Sequence, residues 1–223
     1  TPRTSSAASD VYKRQIKDKR IKKKYLTKNI GRTNCLNYGL KFCKGRFIAI
    51  LDSDDLAKKN RLEIQLKRMK NDKNLWLTSS AYEVINEKNK CVKRVGFGKN
   101  LYNPRKLLYE NIIAHSTVMY KKEMVNKIGY YPKKFLYAQD YALYLKALKK
   151  LNIEIIKNKL SKVRISHKNS ETFRQTASNT ILKEEIKLLN WSYKNFLLSK
   201  REKVIFFFVF LKKICKFTKS IFI

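Results

Sequence analysis

Three carboxylates stand within four residues at Asp52-Ser53-Asp54-Asp55, in a chain with only 17 acidic residues. The apolar run Arg46-Phe47-Ile48-Ala49-Ile50-Leu51 leads straight into them and reads as a buried, parallel strand. Side chains alternate along extended backbone, so Asp52 and Asp54 are expected to project to one side. Two like charges this close need a counter-charge or a shared proton. A hard divalent cation, Mg²⁺ or Mn²⁺, meets that need through oxygen ligands and accepts a substrate's phosphates as further ligands. It also stabilises the charge that builds on a departing diphosphate. The plainer alternative is a solvated turn in which Asp55 caps the next helix. Asp140 opens a second helical pattern and suits either a general base or a simple N-cap. Arg164 and His167 offer positive charge to a diphosphate, or else belong to an ordinary surface loop. His115, just before an apolar strand, reads as a half-buried structural histidine.

The elements that must position these groups alternate between two periods. Residues 34–43 have helical apolar spacing and Gly45 turns the chain into the strand before Asp52. Leu62, Leu66 and Met69 recur at i, i+4 and i+7, the expected inner face of a helix. Strands are expected at 75–78, 84–85, 91–92, 116–120 and 153–156, and a short helix at 121–128 closed by Gly129. Tyr141, Leu145 and Leu148 mark the helix after Asp140, and Leu182 to Phe196 a long amphipathic one. The class is therefore α/β, a mostly parallel sheet flanked by helices, with ligands beyond the carboxyl ends of its strands.

Composition excludes several alternatives. Apolar residues at 43% rule out a disordered chain. The net charge of +35 draws the chain to polyanions, but the excess is mostly lysine spread along its length. A groove reading nucleic acid favours arginine and interleaved aromatics on one face, so no specific nucleic-acid partner is expected. Cys35, Cys43, Cys91 and Cys215 lack C-x-x-C spacing and read as free thiols. Near the C-terminus, Val204-Ile205-Phe206-Phe207-Phe208-Val209-Phe210-Leu211 is too short to span a bilayer. Flanked by lysines, it either lies on an anionic membrane surface or packs as a terminal helix on the domain.

The motifs occur in a telling order. Asn29-Ile30-Gly31 is followed by Cys35-Leu36-Asn37-Tyr38-Gly39-Leu40, Lys44-Gly45-Arg46-Phe47-Ile48-Ala49 and the acidic cluster. Later come His115-Ser116-Thr117, Ile128-Gly129-Tyr130-Tyr131, Gln139-Asp140-Tyr141 and Val163-Arg164-Ile165-Ser166-His167. Over about residues 20–175 this resembles the family 2 glycosyltransferases. The resemblance implies a GT-A fold and transfer of a sugar from a nucleotide-diphosphate donor to an acceptor hydroxyl, with inversion. It implies Asp54 as main metal ligand, Asp52 near the metal and the donor's ribose, and Asp140 as the general base. Asn29, Gly31, Asn37, Arg164 and His167 then fall on the donor side. By analogy the acceptor is a glycan or lipid-linked, in bacterial surface polysaccharide synthesis, with the protein cytoplasmic or peripheral on the inner face of the membrane.

Two departures stand out. The family's Glu-Asp is here Gln139-Asp140. The family's opening strand, helix and strand are not visible upstream of residue 16. Residues 1–15 read as a non-native, adapter-derived stretch, 16–175 as a partial GT-A domain, and 176–223 as a helical segment with a basic, Phe-rich tail. On that reading the chain alone binds a nucleotide-sugar poorly and is largely inactive. The rival is a basic polyanion-binding module without catalysis; a phosphate hydrolase of D-x-D-x-[TV] type is disfavoured by Leu56.

Overall fold

The computed structural model describes residues 18–96, 102–165 and 171–219, the side chains of 171–177 and 219 excepted. The chain forms two units, Thr1–Ile30 and Gly31–Ile223. Within the first, Arg20 pairs with Asp18 at 2.6 Å in an exposed turn.

In the second unit the elements run α1 (Arg32–Phe42), β1 (Phe47–Ala49), β2 (Leu56–Ala57), α2 (Arg61–Asn71), β3 (Leu75–Ile85), β4 (Cys91–Val95), β5 (Met119–Lys121), α3 (Met124–Ile128), α4 (Gln139–Lys150), β6 (Asn152–Arg164), α5 (Glu171–Asn195) and α6 (Lys200–Lys219), with 3₁₀ turns at Pro104–Leu108 and His115–Thr117. The sheet order is β1-β5-β3-β6-β2, and β4 pairs with β3. The α/β class holds, but the sheet is mixed rather than mostly parallel. Among the described residues only β3 with β6 is parallel; β1 with β5, β5 with β3, β3 with β4 and β2 with β6 are antiparallel. Nor is β1 buried throughout, as its apolar run suggested: Ile48 is buried, Phe47 half-buried and Ala49 exposed.

Two expected elements shift. Ser116 lies in the 3₁₀ turn before β5, not in a strand, and β6 runs on to Arg164, which brings that residue beside the acidic loop. Helix α2 turns Arg61, Gln65 and Met69 inward and leaves Leu62 54% exposed. The reason is polar. Arg61 donates to the carbonyls of Ile50 (2.8 Å) and Val118 (3.0 Å), and Gln65 to that of Thr117 (2.9 Å). These carbonyls lie where short strands end, and a buried carbonyl must find a donor.

The core gathers under α4, where Tyr141 to Leu145 and Ala147 are all buried against β3, β5 and β6. Helix α6 packs one side on the domain: Phe206 is buried in edge contact with Tyr109 and Tyr193, and Glu202 pairs with Arg105 at 2.8 Å. Among the described residues no helix is long and apolar enough to cross a membrane. All four cysteines are free.

Candidate active site

The acidic cluster is a turn, not extended backbone: the Asp55 N–H donates to the Asp52 carbonyl at 3.2 Å. Its entry is held from behind. Ile50 N–H donates to Val118 O (3.0 Å), Arg61 grips both of those carbonyls, and Asp52 N–H donates to Ser116 Oγ (2.9 Å). Arg61 is buried. Burial pushes its guanidinium down to about 10, so it remains charged at neutral pH.

The Asp52 carboxylate meets Arg32 Nη2 at 2.8 Å and His115 Nδ1 at 3.5 Å. His115 first, and Arg32 after it, hold the Asp52 pKa below the usual carboxylate value. On its other edge His115 Nε2 lies 3.1 Å from the Tyr131 hydroxyl. Asp140 is the second residue of α4, and its Oδ1 accepts from the Tyr141 N–H at 2.7 Å. Burial raises its pKa, against the pull of His115 and Arg32. A helix N-terminus favours the ionised form; here desolvation outweighs it, which leaves a stronger proton acceptor. Arg32 and His115, which contact Asp52, thus also act electrostatically on Asp140, far along the chain.

The remaining acids divide. Asp54 is exposed, and no described residue hydrogen-bonds its carboxylate. Asp55 does not cap a helix, since β2 intervenes before α2. Its Oδ1 accepts the Arg164 N–H at 2.7 Å, and burial foremost raises its pKa. The Arg164 guanidinium donates to the carbonyls of Asp54 (2.9 Å) and Asn86 (2.7 Å) and to Asn89 Oδ1 (2.6 Å). It ties the acidic turn to the β3–β4 hairpin. His167 lies outside the described residues.

Asn37, read from the sequence as a donor-side group, is buried with its amide spent on Tyr131: Nδ2 donates to the carbonyl (2.9 Å) and Oδ1 accepts the N–H (3.0 Å). That pair sets the tyrosine that meets His115. Gly31 has φ +77°, a left-handed conformation that glycine adopts at no steric cost, directly before α1 and Arg32. Asn29 is exposed in the first unit.

A sequence profile of glycosyl transferase family 2 matches residues 1–129, more than half of the chain. The chain belongs to glycosyl transferase family 2. This family 2 chain is similar to an uncharacterized glycosyltransferase of Methanocaldococcus jannaschii, 30% identical over 172 residues, 76% of this chain and 59% of that protein. It is also similar to the Escherichia coli UDP-Glc:alpha-D-GlcNAc-diphosphoundecaprenol beta-1,3-glucosyltransferase WfgD, 36% identical over 126 residues, 56% of this chain and 47% of that one. It therefore spans between about half and three fifths of these relatives' lengths. Among solved structures, Staphylococcus aureus TarS 1–349 in complex with UDP-GlcNAc superposes with a TM-score of 0.64 at 20% identity, covering 96% of this chain and 61% of TarS 1–349. That likeness shows the GT-A fold.

Several groups around the family 2 site were not singled out from the sequence. Arg32 pairs with Asp52; its only signal was its place after Gly31. Glu184 reaches from α5 to the turn before α4, accepting the N–H groups of Leu136 (2.6 Å), Tyr137 (3.0 Å) and Ala138 (2.8 Å). Adjacent acids at Glu184-Glu185 in a basic segment were the available hint. Gln139 explains the departure from Glu-Asp: oriented to satisfy its neighbours, its buried amide donates to the carbonyls of Leu136 (3.2 Å) and Tyr137 (2.8 Å). An ionised glutamate has no proton to donate there.

For a divalent cation the donor set is all hard carboxylate oxygen, the right chemistry for Mg²⁺ or Mn²⁺. Among the described residues no three His, Cys, Asp or Glu side chains converge on one point. Asp54 is the exposed carboxylate of the turn that could hold such an ion, whereas Asp52 is already engaged by Arg32.

Proposed function

We propose that this family 2 protein transfers a hexose from a uridine-diphosphate donor to the hydroxyl of a lipid-linked glycan acceptor, with inversion, at the cytoplasmic face of a membrane. The observation that carries the reading is the shared environment of Asp52 and Asp140. Asp52 meets Arg32 and His115 directly, and the same two side chains act electrostatically on Asp140 at the start of a distant helix, which supports a single displacement across one site. Asp140 takes the proton of the acceptor hydroxyl as its oxygen bonds to the anomeric carbon; the bond from that carbon to the diphosphate oxygen breaks on the opposite side. Burial suits Asp140 to this task by raising its affinity for the proton. Arg32 holds Asp52 ionised and brings positive charge toward the leaving group. A cation held by Asp54, with Asp52 beside it, would neutralise the departing diphosphate when bound.

Support for the donor and acceptor class comes from WfgD and a second Escherichia coli relative, 33% identical over 131 residues. Both names specify a UDP-hexose and a GlcNAc-diphosphoundecaprenol acceptor. The test is transfer from radiolabelled UDP-glucose and UDP-galactose to a synthetic GlcNAc-diphospholipid with Mn²⁺. It is run on the full-length gene product and on its Asp140→Asn variant. Lipid-borne label that vanishes in Asp140→Asn supports the proposal. Full transfer by that variant, or no transfer by the parent protein with either donor, refutes it.

A further inference from the structure

Helix α6 carries an apolar face that its own domain does not use. Its inner side is settled: Phe206 is buried, Val209 and Phe217 are half-buried, and Lys213 pairs with Glu185 on α5 at 2.6 Å. On the opposite side Val204, Phe207, Phe208 and Leu211 fall at i, i+3, i+4 and i+7, a single stripe. All four are 42–64% exposed. One flank of the stripe opens into an apolar groove of about 420 Å³ between α5 and α6, where Phe207 and Phe210 face Leu189 and Tyr193. A helix that had only to cover α5 would be polar outside.

The charges around the stripe say what covers it. Exposed Lys200, Arg201 and Lys203 precede it, and exposed Lys212 and Lys216 follow. Glu202, the one acid on α6, is already engaged by Arg105 and Ser199. We infer that this face lies flat on an anionic phospholipid bilayer, with Phe207 and Phe208 at the boundary of headgroups and acyl chains and the basic residues at both ends against lipid phosphates. A helix with one embedded aromatic stripe, basic flanks and too little apolar length to span is the pattern of an interfacial helix. A second copy on the same face would oppose like charges, and a polynucleotide would leave Val204 and Leu211 without a use. The inference deepens the membrane placement proposed above, and vesicle binding tests it separately from sugar transfer.

The experiment is co-sedimentation of the full chain with vesicles of phosphatidylglycerol and phosphatidylcholine, or of phosphatidylcholine alone, at low and high NaCl. Light scattering gives the oligomeric state, and circular dichroism checks that the variants fold. Strong binding to the anionic vesicles is expected, weakening with salt. The double variant Phe207→Ser/Phe208→Ser should bind about tenfold more weakly or worse, and Lys212→Glu/Lys216→Glu about tenfold more weakly at low salt. A folded Phe207→Ser/Phe208→Ser protein that binds as tightly as the parent overturns the inference, because charge alone would then suffice. So does a parent that stays in the supernatant. A parent that self-associates in solution while the Phe variant is monomeric also overturns it, in favour of a contact between copies.

Discussion

Glu184 is the sharpest test of how the fold serves the site. It is buried, sits on α5, and closes the turn from which α4 and Asp140 start. Replace it with alanine and three successive N–H donors lose their acceptor. Leu136 is 55% exposed and Tyr137 half-exposed, so water recovers part of those two bonds. Each then costs about 1 kcal/mol. Ala138 is buried, and its orphaned N–H costs about 1–3 kcal/mol. Loss of the negative charge beside the positive end of α4 adds up to about 0.5 kcal/mol. The sum is about 3–5 kcal/mol, or roughly 6–20 °C in melting temperature for a protein of this size. Glu184→Gln keeps one acceptor oxygen and should lose about half as much. Urea denaturation followed by circular dichroism, with scanning calorimetry, measures both variants. An alanine variant destabilised by less than about 1 kcal/mol, or a glutamine variant no better than alanine, would refute the idea that this carboxylate organises the turn.

Other substitutions probe the site from different sides. Asp140→Asn should cut transfer by about 10²–10⁴-fold and yet raise the melting temperature at pH 7. The folded carboxyl titrates above its unfolded value of 3.8, so ionisation costs stability as pH rises through that window, and asparagine avoids the cost; calorimetry showing a less stable variant would contradict this. Asp52 has the opposite sign. His115 and then Arg32 hold it low, so its contribution is present above 3.8 and is lost as pH falls through the folded value. Arg32→Ala should narrow that window and flatten the acid limb of a urea-midpoint series between about pH 2.5 and 6; an unchanged limb would count against the pair. Arg61→Met should cost about 1–3 kcal/mol by denaturant titration, since it strips the Ile50 carbonyl of this donor and leaves the Val118 carbonyl with the Ile50 N–H alone; a neutral effect would mean that the acidic loop is held some other way.

What was legible in the sequence is chemistry carried by neighbours along the chain. The acids 52–55 after an apolar run, the lone Asp140 at a helix start, and the ordered motifs between them point to the family and the α/β class without any coordinates. These signals are local, because strand, turn and helix each leave their own period in the residues. Tertiary structure decided everything that depends on partners far apart in the chain. Periodicity put Leu62 on the inner face of its helix; the structure exposes it and buries Arg61, because the carbonyls at the ends of β1 and β5 needed buried donors more than the core needed one leucine. It gave Arg164 to the β3–β4 hairpin and Asn37 to Tyr131. It brought Arg32 and His115 to Asp52, and Glu184 to the turn before Asp140. Apolar spacing reports which side of an element avoids water; it holds no record of which distant polar group will satisfy which, and in this protein those pairings build the site.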